Sequence, residues 1–432
     1  MKLRWILLPV FLPFASLFAS GGEGDPSASV ILALSIILLS AKLGGDLALR
    51  LGQPAVLGEL VAGVILGNAG LTGWSGLEFI KTDPSIDMLS RLGVLILLFE
   101  VGLESTVGEM KKVGLASFLT AAFGVIAPFF LGWGVGMLFL PGHSMYVYAF
   151  LGATLTATSV GITARVLQDL GKSQTKEARI IIGAAVIDDV MGLVILAVMS
   201  GVISAANGGG ELSYLSIGLI MVKAAAFLFG AIALGLFISP KIFRAATLLR
   251  ARGVLLAVGL SFCFILAFLA SLIGLAPIVG AFAAGLILEK VHYEDLVSRG
   301  EHQLEEAIHP ISSFLTPVFF VLMGFRTDLR VFMDSGVLLL AAALTFAAIL
   351  GKQVCSLAVI REKISRISIG IGMMPRGEVG LIFANIGLGL KVQGEAVITP
   401  MVFSAVVIMV IVTTMATPPA LKWSLNRSAE SA

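Results

Sequence analysis

From residue 29 onward the chain alternates long apolar runs with short polar loops, and this rhythm decides its solvent before any motif is read. The runs fall near 29–49, 54–70, 86–104, 113–139, 145–168, 178–205, 214–238, 250–272, 275–291, 310–326, 333–357, 367–391 and 396–420. A helix needs roughly 20 apolar residues to cross the hydrocarbon of a bilayer. Helices are also one of only two structures that leave no backbone group unsatisfied there. The pattern therefore predicts an all-α polytopic membrane protein with about thirteen transmembrane helices. Composition agrees: 58% of residues are hydrophobic and 13% charged, against roughly 25% charged in a soluble domain. A water-facing surface could not be covered with so little charge. The 49 glycines and 15 prolines fit as well, since both are more frequent in spanning helices than in soluble ones.

Loops between the runs are short and no soluble domain follows the last one, so residues 21–432 read as a single membrane domain. Cys263 and Cys355 both sit in apolar segments, which argues against a structural disulfide. No basic run suggests a nucleic-acid partner, and the partner surface expected is membrane lipid. Residues 1–20 have the form of a cleaved signal peptide. Lys2 and Arg4 make a basic start, an apolar stretch runs from Trp5 to Phe18, and small residues follow at Ala19, Ser20, Gly21 and Gly22.

An odd number of spans puts the two termini on opposite sides, which the Lys/Arg distribution can orient. With the mature N-terminus outside, the cytoplasmic loops and ends carry Arg50, Lys111, Lys112, Arg165, Lys172, Lys176, Arg179, Lys241, Arg244, Arg250, Arg252, Lys290, Arg299, Arg361, Lys363, Arg366, Lys422 and Arg427. The outer side keeps Lys81, Arg326, Arg330 and Lys391. That asymmetry satisfies the positive-inside rule and predicts an N-out, C-in protein of a bacterial cytoplasmic (inner) membrane.

Ionisable side chains inside spans cost at least about 2.5–3.5 kcal/mol at the bilayer centre and are functional candidates by default. Here they are Asp46, Glu59, Glu100, Asp188, Asp189, Lys223, Lys352, Arg376 and Glu378. Asp46 and Lys223 lie where they can snorkel and receive no role. Asp188 and Asp189 lie in GAAVIDDVMGLVIL, at least ten residues from either end of their span, and have no such escape. Successive helical residues point about 100° apart, so both carboxylates can line one cavity without sharing a position. Gly192, on the flank of that face, predicts close approach of a neighbouring backbone.

Two adjacent buried carboxylates form a coupled unit, because burial and like-charge repulsion both favour taking up protons. Deprotonated, they offer hard oxygen ligands to Na⁺ or Li⁺; protonated, they do not. A site that holds a cation or protons but not both is an antiporter in outline, with transported ions in place of any cofactor. Lys352, in AAILGKQVCSLAVI, is expected to pair with one of the two aspartates, because a lysine buried alone would lose its proton.

Two spans are interrupted. GATLTATSVGIT places Thr156, Thr158, Ser159 and Gly161 inside the fifth, and GMMPRGEVGLIF places Pro375 and Gly377 around Arg376 in the twelfth. Proline removes a backbone donor and clashes within a helix. Breaks in corresponding places of two halves point to inverted repeats with an ion site between them. Arg376 and Glu378 are expected to offset the dipoles of the facing half-helix ends. Glu100, in LILLFEVGLE, is expected either to pair with Arg376 or to line the cavity.

The segments LLFEVGLE (97–104), ATLTATSVGITARVL (153–167), AAVIDDVMGLVIL (184–196), GLAPIVGAFAAGLIL (274–288), PVFFVLMGF (317–325) and MMPRGEVGLIFA (373–384) together resemble the cation/proton antiporter-2 family, especially NapA-type sodium/proton antiporters. The resemblance covers nearly the whole chain after residue 20, in order. It implies an NhaA/NapA-like fold of thirteen helices with two crossed, broken helices beside the ion site, and elevator-like alternating access. It further implies a homodimer, with a mobile core that includes 86–205 and 310–391 and dimerisation helices that include 29–70 and 214–291. Carried over residue by residue, Asp189 resembles the principal carboxylate for cation and proton, Asp188 the carboxylate paired with the lysine, and Lys352 that lysine. Thr158 and Ser159 match one crossover, and Arg376 and Glu378 the charged pair at the other. Family members that keep the aspartate pair and the lysine are typically electrogenic, so electrogenic exchange is implied. Glu100 departs from the apolar residue of many relatives.

Other readings of the residues are a potassium efflux protein or channel of the same fold, a sodium-coupled organic-anion symporter, and an intramembrane aspartyl protease. The protease lacks its GxGD motif here and needs its carboxylates on separate helices. A symporter need not keep a carboxylate pair with a lysine. Glutathione-gated potassium efflux relatives carry a C-terminal nucleotide-binding domain that this chain does not continue into. An enzyme is not expected.

Overall fold

The computed structural model describes residues 26–72, 76–104, 114–169, 172, 175–207, 214–249, 251–273, 275–288, 303–330, 335–359, 364–392 and 394–430. The signal segment 1–20 and the loop cations Lys111, Lys112, Arg250, Lys290, Arg299, Arg361 and Lys363 lie outside them. The described chain is almost entirely helical. In order it forms α1 (Pro26–Arg50), α2 (Ala55–Gly67), the one-turn α3 (Phe79–Thr82), α4 (Pro84–Glu104), α5 (Leu115–Phe139), α6 (Met145–Thr154), α7 (Val160–Asp169) and α8 (Lys176–Asn207). It continues with α9 (Tyr214–Ala246), α10 (Val254–Leu272), α11 (Pro277–Ile287), α12 (Leu304–Phe325), α13 (Ser335–Gln353), α14 (Arg366–Gly372), α15 (Glu378–Gly389) and α16 (Pro400–Glu430). A two-residue antiparallel ladder, β1 (Lys391–Val392) with β2 (Glu395–Ala396), turns the chain between α15 and α16.

Each apolar run contains helix, and the two interrupted runs appear as half-helix pairs, α6 with α7 and α14 with α15. Among the described residues, seven helices are long and apolar enough to cross a membrane, and four shorter apolar helices accompany them. Two helices run past their expected ends. α9 continues through Pro240 to Ala246, and α16 through Pro418 and Pro419 to Glu430.

The chain divides into two compact units, residues 1–94 with 311–333, and residues 95–310 with 334–432. In the first unit glycines let backbones touch. A Cβ on Gly44 or Gly58 would run into the other residue's carbonyl, so α1 and α2 pack main chain to main chain, the close approach that small residues permit between membrane helices. Asn68 ties the end of α2 to the end of α12. Its amide donates to the carbonyls of Val64 and Thr327, both at 2.8 Å, and its oxygen accepts from the Leu329 amide at 2.8 Å. Arg326 pairs with Asp87 in the same unit. Glu59 is buried on α2, at 8% exposure, and Asp46 is held by Arg50 one turn on at 2.8 Å. The second unit contains both half-helix pairs, α8 and α13, and therefore every residue of the candidate site except the side chain of Glu378, which is not among those described.

Candidate functional site

The two breaks have different local causes. Thr154 Oγ1 donates to the Phe150 carbonyl at 3.0 Å and Thr156 Oγ1 to the Ala153 carbonyl at 2.8 Å. The second of these bonds lies just past the last turn and competes with continuation of the helical ladder, and α6 stops at Thr154. In the second pair, Pro375 supplies no amide and disfavours helix for the residue before it, so the chain is unwound between α14 and α15.

The two unwound segments cross in contact. The Ser159 amide donates to the Pro375 carbonyl at 2.9 Å, Thr158 Oγ1 to the Met373 carbonyl at 3.3 Å, and Thr163 Oγ1 to the Gly372 carbonyl at 2.7 Å. Gly377 makes the approach possible, since a Cβ there would stand 2.6 Å from both Cβ and Oγ of Ser159. Thr158 and Ser159 thus sit at the crossover, buried.

Asp188 and Asp189 are carried on α8, at 0% and 8% exposure. Lys352, in the last turn of α13, is fully buried and reaches Asp188, its Nζ lying 3.0 Å from Oδ1 and 3.2 Å from Oδ2. The same ammonium donates to the Thr156 carbonyl at 2.8 Å, on the first break. A buried ion pair of this kind repays its desolvation only when the remaining donors are also satisfied, and the unwound carbonyl supplies that bond. Gly124 on α5 leaves the room: a Cβ there would stand 2.9 Å from Cys355 Sγ and 3.2 Å from Lys352 Nζ. Cys263 and Cys355 are free, buried thiols.

Arg376 is also fully buried. Its guanidinium donates to the carbonyls of Ala157, of Thr156 at 3.2 Å and of Ala348 at 3.5 Å. It therefore sits on unwound carbonyls just beyond the C-terminal end of α6, where the helix dipole is negative. Glu100, the alternative partner for this arginine, instead lies 3.5 Å from His309 Nδ1.

The expectation for Gly192 is corrected. A Cβ at this position would meet Phe383 Cζ at 3.8 Å and Thr156 Oγ1 at 3.9 Å, ordinary contact with side chains, so no backbone comes close. Thr413, Thr414 and Gly124 touch the site without having been singled out from the sequence. The only signal for the threonines is a polar pair inside the apolar stretch of α16.

Chemically, the arrangement gathers two carboxylates, two cations and unwound backbone carbonyls in a buried region at the crossing of two broken helices. Such broken helices are the membrane form of a helix-terminus ion site.

Comparison with known proteins places these features in a family. Residues 10–423 match the family model described as sodium/hydrogen exchanger, transmembrane. The chain is 37% identical over 430 residues to the high-affinity Na⁺/H⁺ antiporter NhaS3 of Synechocystis sp., covering 91% of this chain and 89% of that one. It is 35% identical over 401 residues to the Na⁺/H⁺-K⁺ antiporter GerN of Bacillus cereus, covering 91% and 95%. The fold is shared with the sodium proton antiporter MjNhaP1 of Methanocaldococcus jannaschii, with a TM-score of 0.65 and 16% identity over 92% of this chain and 98% of that one. This is a multi-pass membrane protein, and it belongs to the sodium/hydrogen exchanger family.

Proposed function

We propose that the protein is a secondary active antiporter that exchanges Na⁺ for H⁺ by alternating access at Asp188 and Asp189. The observation that carries this reading is the buried contact of Lys352 with Asp188, beside Asp189 and at the crossing of two unwound helices. Asp189 is the principal carboxylate, taking the cation when deprotonated and a proton otherwise. Asp188 exchanges partners, bonded to Lys352 in the cation-free site and released toward Na⁺ when the cation enters. Thr158 and Ser159 hold the first crossover. Arg376, with Glu378, offsets the dipoles of the half-helices. Transport is electrogenic, because Lys352 gives up its proton in addition to that of Asp189 as the cation displaces it from Asp188, so that more than one H⁺ moves per Na⁺. No cofactor is required beyond the transported ions, and no chemical step is catalysed.

The protein works as a homodimer in the bacterial inner membrane, N-terminus outside and C-terminus inside. The mobile core includes 86–205 and 310–391, and the dimerisation helices include 29–70 and 214–291. This functional division follows which helices move, and so it need not coincide with the two compact units. K⁺ is retained as a second candidate cation, because the relative GerN is named as a Na⁺/H⁺-K⁺ antiporter. Reconstitution in liposomes with an internal pH dye tests the reading. Adding Na⁺ should drive proton movement, and parallel additions of Li⁺ and K⁺ rank the cations. Cation flux that leaves the internal pH unchanged contradicts it.

A further inference from the structure

The last helix bears three threonines within an apolar stretch, Thr413, Thr414 and Thr417, and two of them act outside their own helix. Thr417 Oγ1 donates back to the Thr413 carbonyl at 2.7 Å, the ordinary habit of a buried threonine. Thr414 Oγ1 donates instead to the carbonyl of Arg376, at 2.6 Å. Thr413 Oγ1 accepts from the Arg376 amide at 3.3 Å while it donates to the Met409 carbonyl at 2.8 Å. Consecutive residues of α16 thus hold both main-chain polar groups of Arg376, one on each of the two peptide units that flank its Cα. The three side chains are buried, Arg376 and Thr413 at 0% and Thr414 at 3% exposure.

Anchored in this way, Arg376 places its guanidinium on the Thr156 carbonyl, the same oxygen that accepts from Lys352 Nζ. Two buried cations therefore share one acceptor, with Asp188 bonded to one of them. Their mutual repulsion depends steeply on separation in a region of low dielectric. The position of the arginine consequently sets how strongly the lysine leans on Asp188.

We propose that Thr414, assisted by Thr413, is a positioning residue for ion exchange: by fixing the main chain of Arg376 it sets the Lys352–Asp188 contact, and with it the balance between cation and proton at the aspartate pair. This inference rests on the antiport reading above. A slack Arg376 would alter apparent cation affinity and its pH dependence, not merely the amount of folded protein.

The test uses the full chain in liposomes, with Na⁺-driven proton flux followed over a range of Na⁺ concentration and pH. Thr414→Val removes the hydroxyl at nearly constant volume, and Thr414→Ser keeps it. Removal of one buried hydrogen bond predicts a change of about three- to tenfold in half-saturating Na⁺ for Thr414→Val. A displaced pH profile should accompany it, and Thr414→Ser should match the wild type. Unchanged half-saturation and pH profile in Thr414→Val, or a fall in maximal flux that only follows the folded protein per vesicle, overturns the inference. If Thr414→Val does not fold, Thr413→Val is read in the same way. Misfolding of both while Thr414→Ser folds assigns the hydroxyls a purely structural role and also overturns it. Absence of Na⁺-dependent proton flux in the wild type fails the antiport reading and this inference together. A working wild type with an unaltered Thr414→Val fails the inference alone.

Discussion

Lys352 Nζ lies 3.0 Å from Asp188 Oδ1, and neither side chain has any exposure to solvent. Breaking a buried pair by removing one partner typically costs about 3–5 kcal/mol, whereas replacing both partners is often neutral. Asp188→Asn and Lys352→Met should therefore each lower the thermal midpoint of the purified protein, and the double variant should recover most of the loss. Thermal unfolding in detergent measures all three. Additive losses would mean that the two residues do not depend on each other.

The same pair makes a prediction about voltage. In liposomes carrying a membrane-potential probe, Lys352→Ala should retain less of the voltage response than of the Na⁺-driven proton flux, or lose it outright. A folded variant with full voltage coupling would remove the lysine from the coupling step.

Gly124 tests the space around the ammonium. A methyl group there would stand 2.9 Å from Cys355 Sγ and 3.2 Å from Lys352 Nζ. Overpacking of this kind costs about 1–3 kcal/mol. Gly124→Ala should lower thermal stability and change half-saturating Na⁺, and adding Cys355→Ala should restore much of the stability by returning the lost volume.

Gly377 and Gly192 should respond in opposite ways. A Cβ on Gly377 would stand 2.6 Å from Ser159, so Gly377→Ala must push the two unwound segments apart. Gly192→Ala meets nothing nearer than 3.8 Å and gains helix propensity. Transport assays paired with thermal unfolding should show loss in the first and near wild-type behaviour in the second.

These contrasts mark how far the site was legible from sequence. Asp188, Asp189 and Lys352 stand out because an ionisable group in an apolar run is costly wherever it points. Pro375 and Gly377 stand out because they cannot continue a helix quietly. Pairing was only partly readable: the burial of Lys352 demanded an acid, but Arg376 found main-chain carbonyls, which carry no sequence signature. Thr413 and Thr414 were silent for a related reason. Threonines in these helices often bond back to their own helix, as buried Thr120 does to the Ala116 carbonyl and half-buried Thr345 to the Ala341 carbonyl, each at 2.7 Å. Nothing in the residue type distinguishes one that reaches across to Arg376. Glycine was equally ambiguous, since Gly192 and Gly124 look alike in an apolar helix and only three-dimensional neighbours separate them. Helix ends eluded the hydropathy pattern where α9 and α16 run through prolines into more polar sequence.

The central claim is that Na⁺ and protons compete for one aspartate pair, and proton release on cation binding tests it most directly. Purified protein in weak buffer with a pH indicator should acidify the solution when NaCl is added and not when choline chloride is added, and Asp189→Asn should abolish the release. Na⁺ binding without proton release, or a release that survives in folded Asp189→Asn, would contradict the account.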